Sequence, residues 1–188
     1  TCSGTGFTVT PSNGTDIVPS GTTYAWSSLP VVTGGLTGGA TASLQSSISG
    51  TLTNPTNLAQ TATYTVTPTS GSCTGATFTT TVTLDPKPFV NNQTPSAICS
   101  GTAFTVTPSG ASALNSGNVV PSGTTYTWTV AANTNVTGQS DVSTAQNNIS
   151  QTLTNLTNTA QTVVYTVTPV SGSCTGSTFT VTVSVSPD

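Results

Sequence analysis

Residues 179–185 read Phe-Thr-Val-Thr-Val-Ser-Val, with Phe179, Val181, Val183 and Val185 alternating with hydroxyl residues without a miss. A side-chain period of two belongs to an extended strand, and an apolar face backed by Thr and Ser belongs to a strand buried on one side. The pattern recurs along the chain. Phe7 and Val9, Tyr24 and Trp26, Tyr64 and Val66, and Phe78, Val82 and Leu84 show the same alternation. Turn-forming clusters separate these runs: PSNG, PSG, GG, TNPTN and PTSGS. Roughly six or seven short strands per 100 residues is the arithmetic of an antiparallel β-sandwich. No amphipathic helix of useful length is visible, so the expected fold class is all-β.

The 188-residue chain contains its own pattern twice. CSGTGFTVTP at 2–11 returns as CSGTAFTVTP at 99–108, and SGTTYAW at 20–26 returns as SGTTYTW at 122–128. TLTN at 51–54, TYTVTP at 63–68 and SGSCTG at 70–75 return as TLTN at 152–155, VYTVTP at 164–169 and SGSCTG at 171–176. The offsets imply about five extra residues in the second copy between Pro108 and Ser122, in a Gly/Ser/Asn-rich stretch where insertions are tolerated. A period near 100 exceeds the 20–50 residues of a solenoid coil and fits two tandem sandwiches. The expected domains are residues 1–86 and 87–188, meeting near Asp85-Pro86-Lys87-Pro88 in a semi-rigid linker. PFVNNQTPSA at 88–97 precedes Cys99 and is expected to form the first strand of the second domain. The first copy opens at Thr1-Cys2, so it is expected to lack that strand or to borrow one, as in a piece of a longer array.

Composition excludes several functions. Charged residues are 3% of the chain and hydrophobic residues 33%; there is one Lys, four Asp and no His, Glu or Met, for a net charge of −3. Against this stand 46 Thr and 25 Ser. Disorder asks for high net charge and few β-branched residues, and this chain has the opposite. With no basic patch, binding to nucleic acid has no electrostatic source. Without His or Glu, acid–base catalysis lacks its usual groups. No apolar run approaches the roughly 20 residues of a membrane-spanning helix, so membrane insertion by this segment is not expected.

Each copy carries two cysteines, Cys2 and Cys73 in the first and Cys99 and Cys174 in the second. Four cysteines allow three connectivities, and the repeat favours Cys2–Cys73 and Cys99–Cys174, one structural disulfide per domain. Closing loops of that length is worth roughly 4 kcal/mol in the chain-entropy model. Disulfides in turn imply an oxidising compartment and export. A zinc site would need four ligands, which two Cys per domain and no His cannot supply.

The remaining candidates are weak. GSCTG at 71–75 and 172–176 has the G-x-C-x-G spacing of a nucleophile elbow, but that motif needs a strand-to-helix turn and a His base. The plainer reading is a hairpin loop carrying a structural Cys. Lys87 lies between two prolines and reads as a solvated linker residue. Asp16 and Asp141 lie in different copies, and Asp85 alone at the junction is too little for calcium. Trp26 and Trp128 are a candidate ligand surface, as sugar-stacking platforms; in a strand beside Tyr they read first as core. TGGLTGGA at 33–40 is replaced by NTNVTGQSD at 133–141, a variable loop with no residue that argues for a ligand. Sequons at Asn13, Asn92, Asn135, Asn148 and Asn155 are what chance produces in a chain so rich in Asn and Thr. No catalytic, cofactor-binding or metal-binding residue is therefore expected.

Taken together, the motifs CSG…FTVTP…TYTW…TLTN…YTVTP…G-x-C-x-G resemble the tandem PKD-like/Ig-like repeats of very large secreted surface adhesins of Bacteroidetes-type bacteria, over nearly all of both copies. The resemblance implies an extracellular, cell-surface setting, secretion of the type IX kind and a place in adhesin stalks, including those of gliding motility. The WDFGDG-type motif of standard PKD domains is absent: Trp128 is followed by Thr-Val-Ala and Trp26 by Ser-Ser-Leu. The expected function is a non-catalytic stalk or spacer giving reach and mechanical stability, with neighbouring repeats of the same chain as partners. The rival expectations are a module that binds surface glycan or an adhesion substrate, and a filament subunit assembled by strand donation. Ice binding by Thr-x-Thr runs such as Thr63–Thr67 suits coils that repeat far more often than every 100 residues.

Overall fold

Every alternating run in the sequence is a strand in the computed structural model, which describes residues 1–14, 16–110 and 117–188. Among the described residues there is no helix. The insertion expected between Pro108 and Ser122 falls over residues 111–116, outside the described residues. The chain divides into two units, Thr1–Pro86 and Lys87–Asp188.

In unit 1 the backbone of the larger sheet is β7 (Gln60–Ser70), eleven residues long. One side of β7 pairs with β3 (Val31–Val32) and β2 (Thr23–Trp26), and β2 pairs onward with β5 (Ala42–Gln45). The other side pairs with β8 (Cys73–Thr74) and β9 (Phe78–Leu84). The facing sheet has the order β1 (Gly6–Val9), β6 (Ile48–Thr53), β4 (Thr37–Gly38). Unit 2 repeats the plan. β16 (Gln161–Ser171) pairs with β12 (Thr125–Ala131) on one side and with β17 (Cys174–Thr175) and β18 (Phe179–Ser186) on the other. β14 (Val142–Gln146) lies outside β12, and β10 (Ile98–Cys99) runs parallel along β18. The facing sheet has the order β11 (Thr102–Val106), β15 (Ile149–Asn155), β13 (Val136–Thr137). The chain is thus two tandem β-sandwiches.

The cores sit between the sheets on the apolar sides of the alternating strands. Ile48, Leu52, Tyr64, Val66 and Leu84 are sealed in unit 1, and Ile149, Leu153, Tyr165, Val181 and Val183 in unit 2. Equivalent aromatic pairs close both cores: Phe7 against Tyr64 at 5.5 Å and Phe104 against Tyr165 at 5.2 Å, between ring centroids. Tyr24 meets Phe78 edge-on, as Tyr126 meets Phe179. Such contacts add about 0.5–1.5 kcal/mol each beyond the area they bury.

A buried polar brace also repeats. Ser3 and Asn54 in unit 1, and Ser100 and Asn155 in unit 2, are buried. The Asn54 backbone N–H donates to Ser3 Oγ at 2.8 Å, and the Asn155 N–H to Ser100 Oγ at 3.1 Å. The Asn54 amide donates to Leu58 O and Leu84 O, while its Oδ1 accepts from the N–H and hydroxyl of Thr56. Asn155 does the same with Thr159 O, Val185 O and Thr157. The Ser of CSG and the Asn of TLTN therefore tie the chain's entry, the loop after β6 or β15 and the end of the last strand to one point. Inside a sandwich each of those groups would otherwise be an unsatisfied polar atom.

Candidate functional site

The tryptophans expected as a possible stacking surface are core residues. Trp26 is 3% exposed and Trp128 5% exposed. The Trp26 Nε1–H donates to Ala40 O at 2.6 Å and the Trp128 Nε1–H to Ser140 O at 3.2 Å. Trp26 also stands edge-on to Tyr64. A sugar platform needs an open ring face with a free polar rim, and both rings have the reverse. Burial therefore removes the ligand surface at Trp26 and Trp128 and leaves the core role that the strand pattern favoured.

The cysteine pairing is corrected as well. Cys2 and Cys174 are disulfide-bonded, whereas Cys73 and Cys99 are free and exposed. Neither Cys2–Cys73 nor Cys99–Cys174 forms. The register of β7 gives the reason. Cys2 bridges Asp85, next to Leu84, which pairs with Gln60 at one end of β7; Cys73 pairs with Ser70 at the other end. At about 3.3 Å per residue, the two cysteines of a repeat stand about 30 Å apart, against the 4.4–6.8 Å between Cα atoms that a disulfide spans. Cys99 and Cys174 are separated in the same way, Cys99 opposite Ser186 and Cys174 opposite Ser171. The loop-closure stabilisation expected within each domain is withdrawn with the pairs.

GSCTG is a hairpin in both units. Ser70 pairs with Cys73 and Ser171 with Cys174, around Gly71 at φ 59° and Gly172 at φ 56°. That two-residue turn needs a residue tolerant of positive φ. It is no strand-to-helix elbow. The acidic groups are spread out: Asp141 Oδ1 accepts from the Val130 N–H, Asp16 is exposed beside a loop bridge with Asn13, and Asp85 bridges Cys2. Among the described residues no three His, Cys, Asp or Glu come together. Tyr64, Tyr126 and Tyr165 all have their phenols pushed up by burial, in positions where each is packed into a core.

Residues 88–97, expected as the first strand of unit 2, form isolated bridges rather than a strand, and the two units differ in the surface this segment covers. In unit 2 the segment ahead of Cys99 lies along the outer edge of the larger sheet. Phe89 and Val119 exchange backbone hydrogen bonds at 2.9 and 2.7 Å, and Gln93 bridges Val181 in parallel. The Gln93 N–H donates to Thr180 O, the Thr182 N–H to Gln93 O, and the Thr180 N–H to Asn92 Oδ1. Val90, between these anchors, is 3% exposed and belongs to the core. Unit 1 has a hollow of about 610 Å³ at the matching place, lined by Val9, Ile17, Val18, Tyr24, Phe78 and Thr80 among others.

The PKD-like domain family model matches residues 1–88 and again residues 96–188. No curated protein matches the chain. Among the described residues no helix is long and apolar enough to cross a membrane.

Proposed function

We propose, from the premise that the chain belongs to the PKD-like domain family, that it is a non-catalytic spacer in the stalk of a large extracellular cell-surface adhesin. Tandem PKD-like repeats accord with an extracellular structural module. The finer reading rests on one observation: apart from shared turns such as SGSCTG and the hydroxyl faces of the strands, what the two repeats hold in common is interior. The Ser–Asn brace, the Trp indoles bonded to backbone carbonyls and the tilted core aromatic pairs recur position for position. The stretches 33–40 and 133–141 share a short strand, Thr37–Gly38 and Val136–Thr137, beside buried Leu36 and Val136, and differ in the exposed residues around it. A repeat selected to bind would be expected to preserve a surface, and one selected to hold shape preserves its inside.

The scarcity of charge suits that role. With five charged side chains, stability owes little to ion pairs, so salt has little to screen. The motif resemblance supports a surface adhesin, and with it secretion of the type IX kind and a place in gliding motility. In the parent surface protein, replacing this pair of units with an unrelated two-sandwich pair of equal length should leave adhesion intact, while deleting it should weaken adhesion. Loss of adhesion on length-matched replacement would defeat the spacer reading. So would a glycan-array signal from the isolated chain that is abolished by changing residues 33–40 or 133–141.

A further inference from the structure

We propose that the hollow beside β9 in unit 1 is the seat of an extended, uncharged strand of the Phe89–Gln93 kind, running parallel to β9 and carried by the polypeptide ahead of Cys2. The proposal does not depend on the spacer reading.

The two repeats are equivalent position by position. Under the offsets of the quoted motifs, Ile17 corresponds to Val119, Phe78 to Phe179, and Thr79, Thr80 and Thr81 to Thr180, Val181 and Thr182. In unit 2 these positions are covered or bonded by Phe89–Gln93. In unit 1 they lie open: Ile17 is 93% exposed where Val119 is 3% exposed, and Phe78 is half-buried where Phe179 is buried. The same holds for Pro11 against Pro108, Thr22 against Thr124 and Thr80 against Val181, each more open in unit 1. Gly176 shows how close the segment comes, since a Cβ there would collide with Pro88 O; its counterpart Gly75 meets nothing nearer than Pro68.

Backbone groups point the same way. In unit 2 the outer edge of β18 offers Thr180 N–H, Thr180 O and Thr182 N–H to Asn92 and Gln93. The matching groups of Thr79 and Thr81 lie on the outer edge of β9, which among the described residues pairs as a strand with β7 alone. Within the hollow, Tyr24 is 3% exposed and its hydroxyl is buried without a hydrogen-bond partner. A seated strand brings polar backbone to that region.

The occupant's chemistry is read from the segment that fills the slot in unit 2. It is uncharged, places one β-branched residue inward at Val90, and presents an Asn side chain to an edge N–H. A neutral strand suits a hollow whose charged lining is Asp16 alone. Its source is argued from connection. Gln93 is followed by five residues and then Cys99, and Cys2 bridges Asp85 in parallel as Cys99 pairs with Ser186 in parallel. A second copy of the chain already uses its own Phe89–Gln93 in its own unit 2.

The test adds PFVNNQTPSA ahead of Thr1 in the full chain, beside a version carrying the same ten residues scrambled. Hydrogen exchange at Ile17, Thr79 and Thr81 should slow at least about tenfold with the native order and stay unchanged with the scrambled one, as expected for amides newly held in hydrogen bonds. The melting temperature of unit 1 should rise by about 5 °C or more. In the unextended chain, Val90→Asp should speed exchange at Val119, Thr180 and Thr182. Equal exchange in the native and scrambled extensions overturns the proposal, and so does protection in unit 2 that survives Val90→Asp. Protection of Ile17, Thr79 and Thr81 that rises with concentration in the unextended chain also overturns it, because the strand would then come from a second copy.

Discussion

Replacing Asn155 with Ala should remove much of the stability of unit 2. The side chain makes four hydrogen bonds: its amide donates to Thr159 O at 2.8 Å and Val185 O at 2.9 Å, and its Oδ1 accepts from the Thr157 N–H and hydroxyl, each at 2.9 Å. Three of these bonds are part-buried, so water can replace some of what is lost, about 0.5 kcal/mol net each at the low end of the usual range. The fourth is buried, and truncation leaves the Val185 carbonyl without a donor at a cost of about 1–3 kcal/mol. The sum is about 2.5–4.5 kcal/mol. For a unit of this size each kcal/mol lowers the melting temperature by about 4–8 °C, so the expected fall is about 10–35 °C. Calorimetry should assign it to unit 2, with Asn54→Ala acting in the same way on unit 1. Asn155→Asp keeps the shape and both accepted bonds but turns an oxygen towards Thr159 O and Val185 O, and should cost at least as much. Asn148→Ala, at an exposed position, should change stability by no more than about 0.5 kcal/mol. A fall below about 3 °C for Asn155→Ala, or an Asn155→Asp protein as stable as the parent, would refute the brace.

Other outcomes follow from the same geometry. Alkylation of the folded, unreduced chain should label Cys73 and Cys99 and spare Cys2 and Cys174; a chain with no reactive thiol would restore one disulfide per domain. Trp128→Ala should cost about 3–5 kcal/mol in denaturant unfolding, as for other large core truncations, and leave any surface binding unchanged. Burial raises the phenols of Tyr64, Tyr126 and Tyr165 above their ordinary value near 10. Groups raised in the folded state contribute stability that is complete below the unfolded value and is lost as pH climbs through the folded ones. Melting temperature should therefore stay nearly flat from about pH 5 to 9 and fall above about pH 10, in step with phenolate absorbance. A transition at about pH 6 would contradict this, because the chain has no His.

The strands were legible because their period is local. Phe179 to Val185 shows its burial pattern in seven letters, and the repeat shows that the pattern is used twice. The Ser–Asn brace was half-legible. CSG and TLTN recur at fixed places, but nothing local says that Ser3 meets Asn54 across 51 residues. A polar residue ending an apolar strand in both copies was the available signal, and Asn155 was instead noticed as a sequon. The cysteines misled because repeat symmetry says which residues are equivalent, not which are near. The distance between Cys2 and Cys73 is set by the eleven-residue span of β7, of which the motif TYTVTP reveals about half. The tryptophans were ambiguous in sequence because a Trp in a Tyr-x-Trp strand can face in or out, and the pairing of β2 and β12 inside their sheets decides it.

The same scarcity of charge bears on the sheet edges. An exposed strand edge is a template for unwanted pairing, and proteins blunt such edges with lysines, prolines, bulges or cover. β9 and β18 contain neither a charge nor a proline from Phe78 to Leu84 and from Phe179 to Ser186. With a single Lys in the chain, and that one at residue 87, charge is not available as a guard. Cover is the device that remains, and unit 2 uses it: Phe89–Gln93 lies over the outer side of β18, with Val90 built into the core. Unit 1 has the same kind of edge, the same lining and an open hollow. In unit 2 the segment ahead of Cys99 thus belongs structurally to the sandwich it precedes, and connects and seals in one stroke.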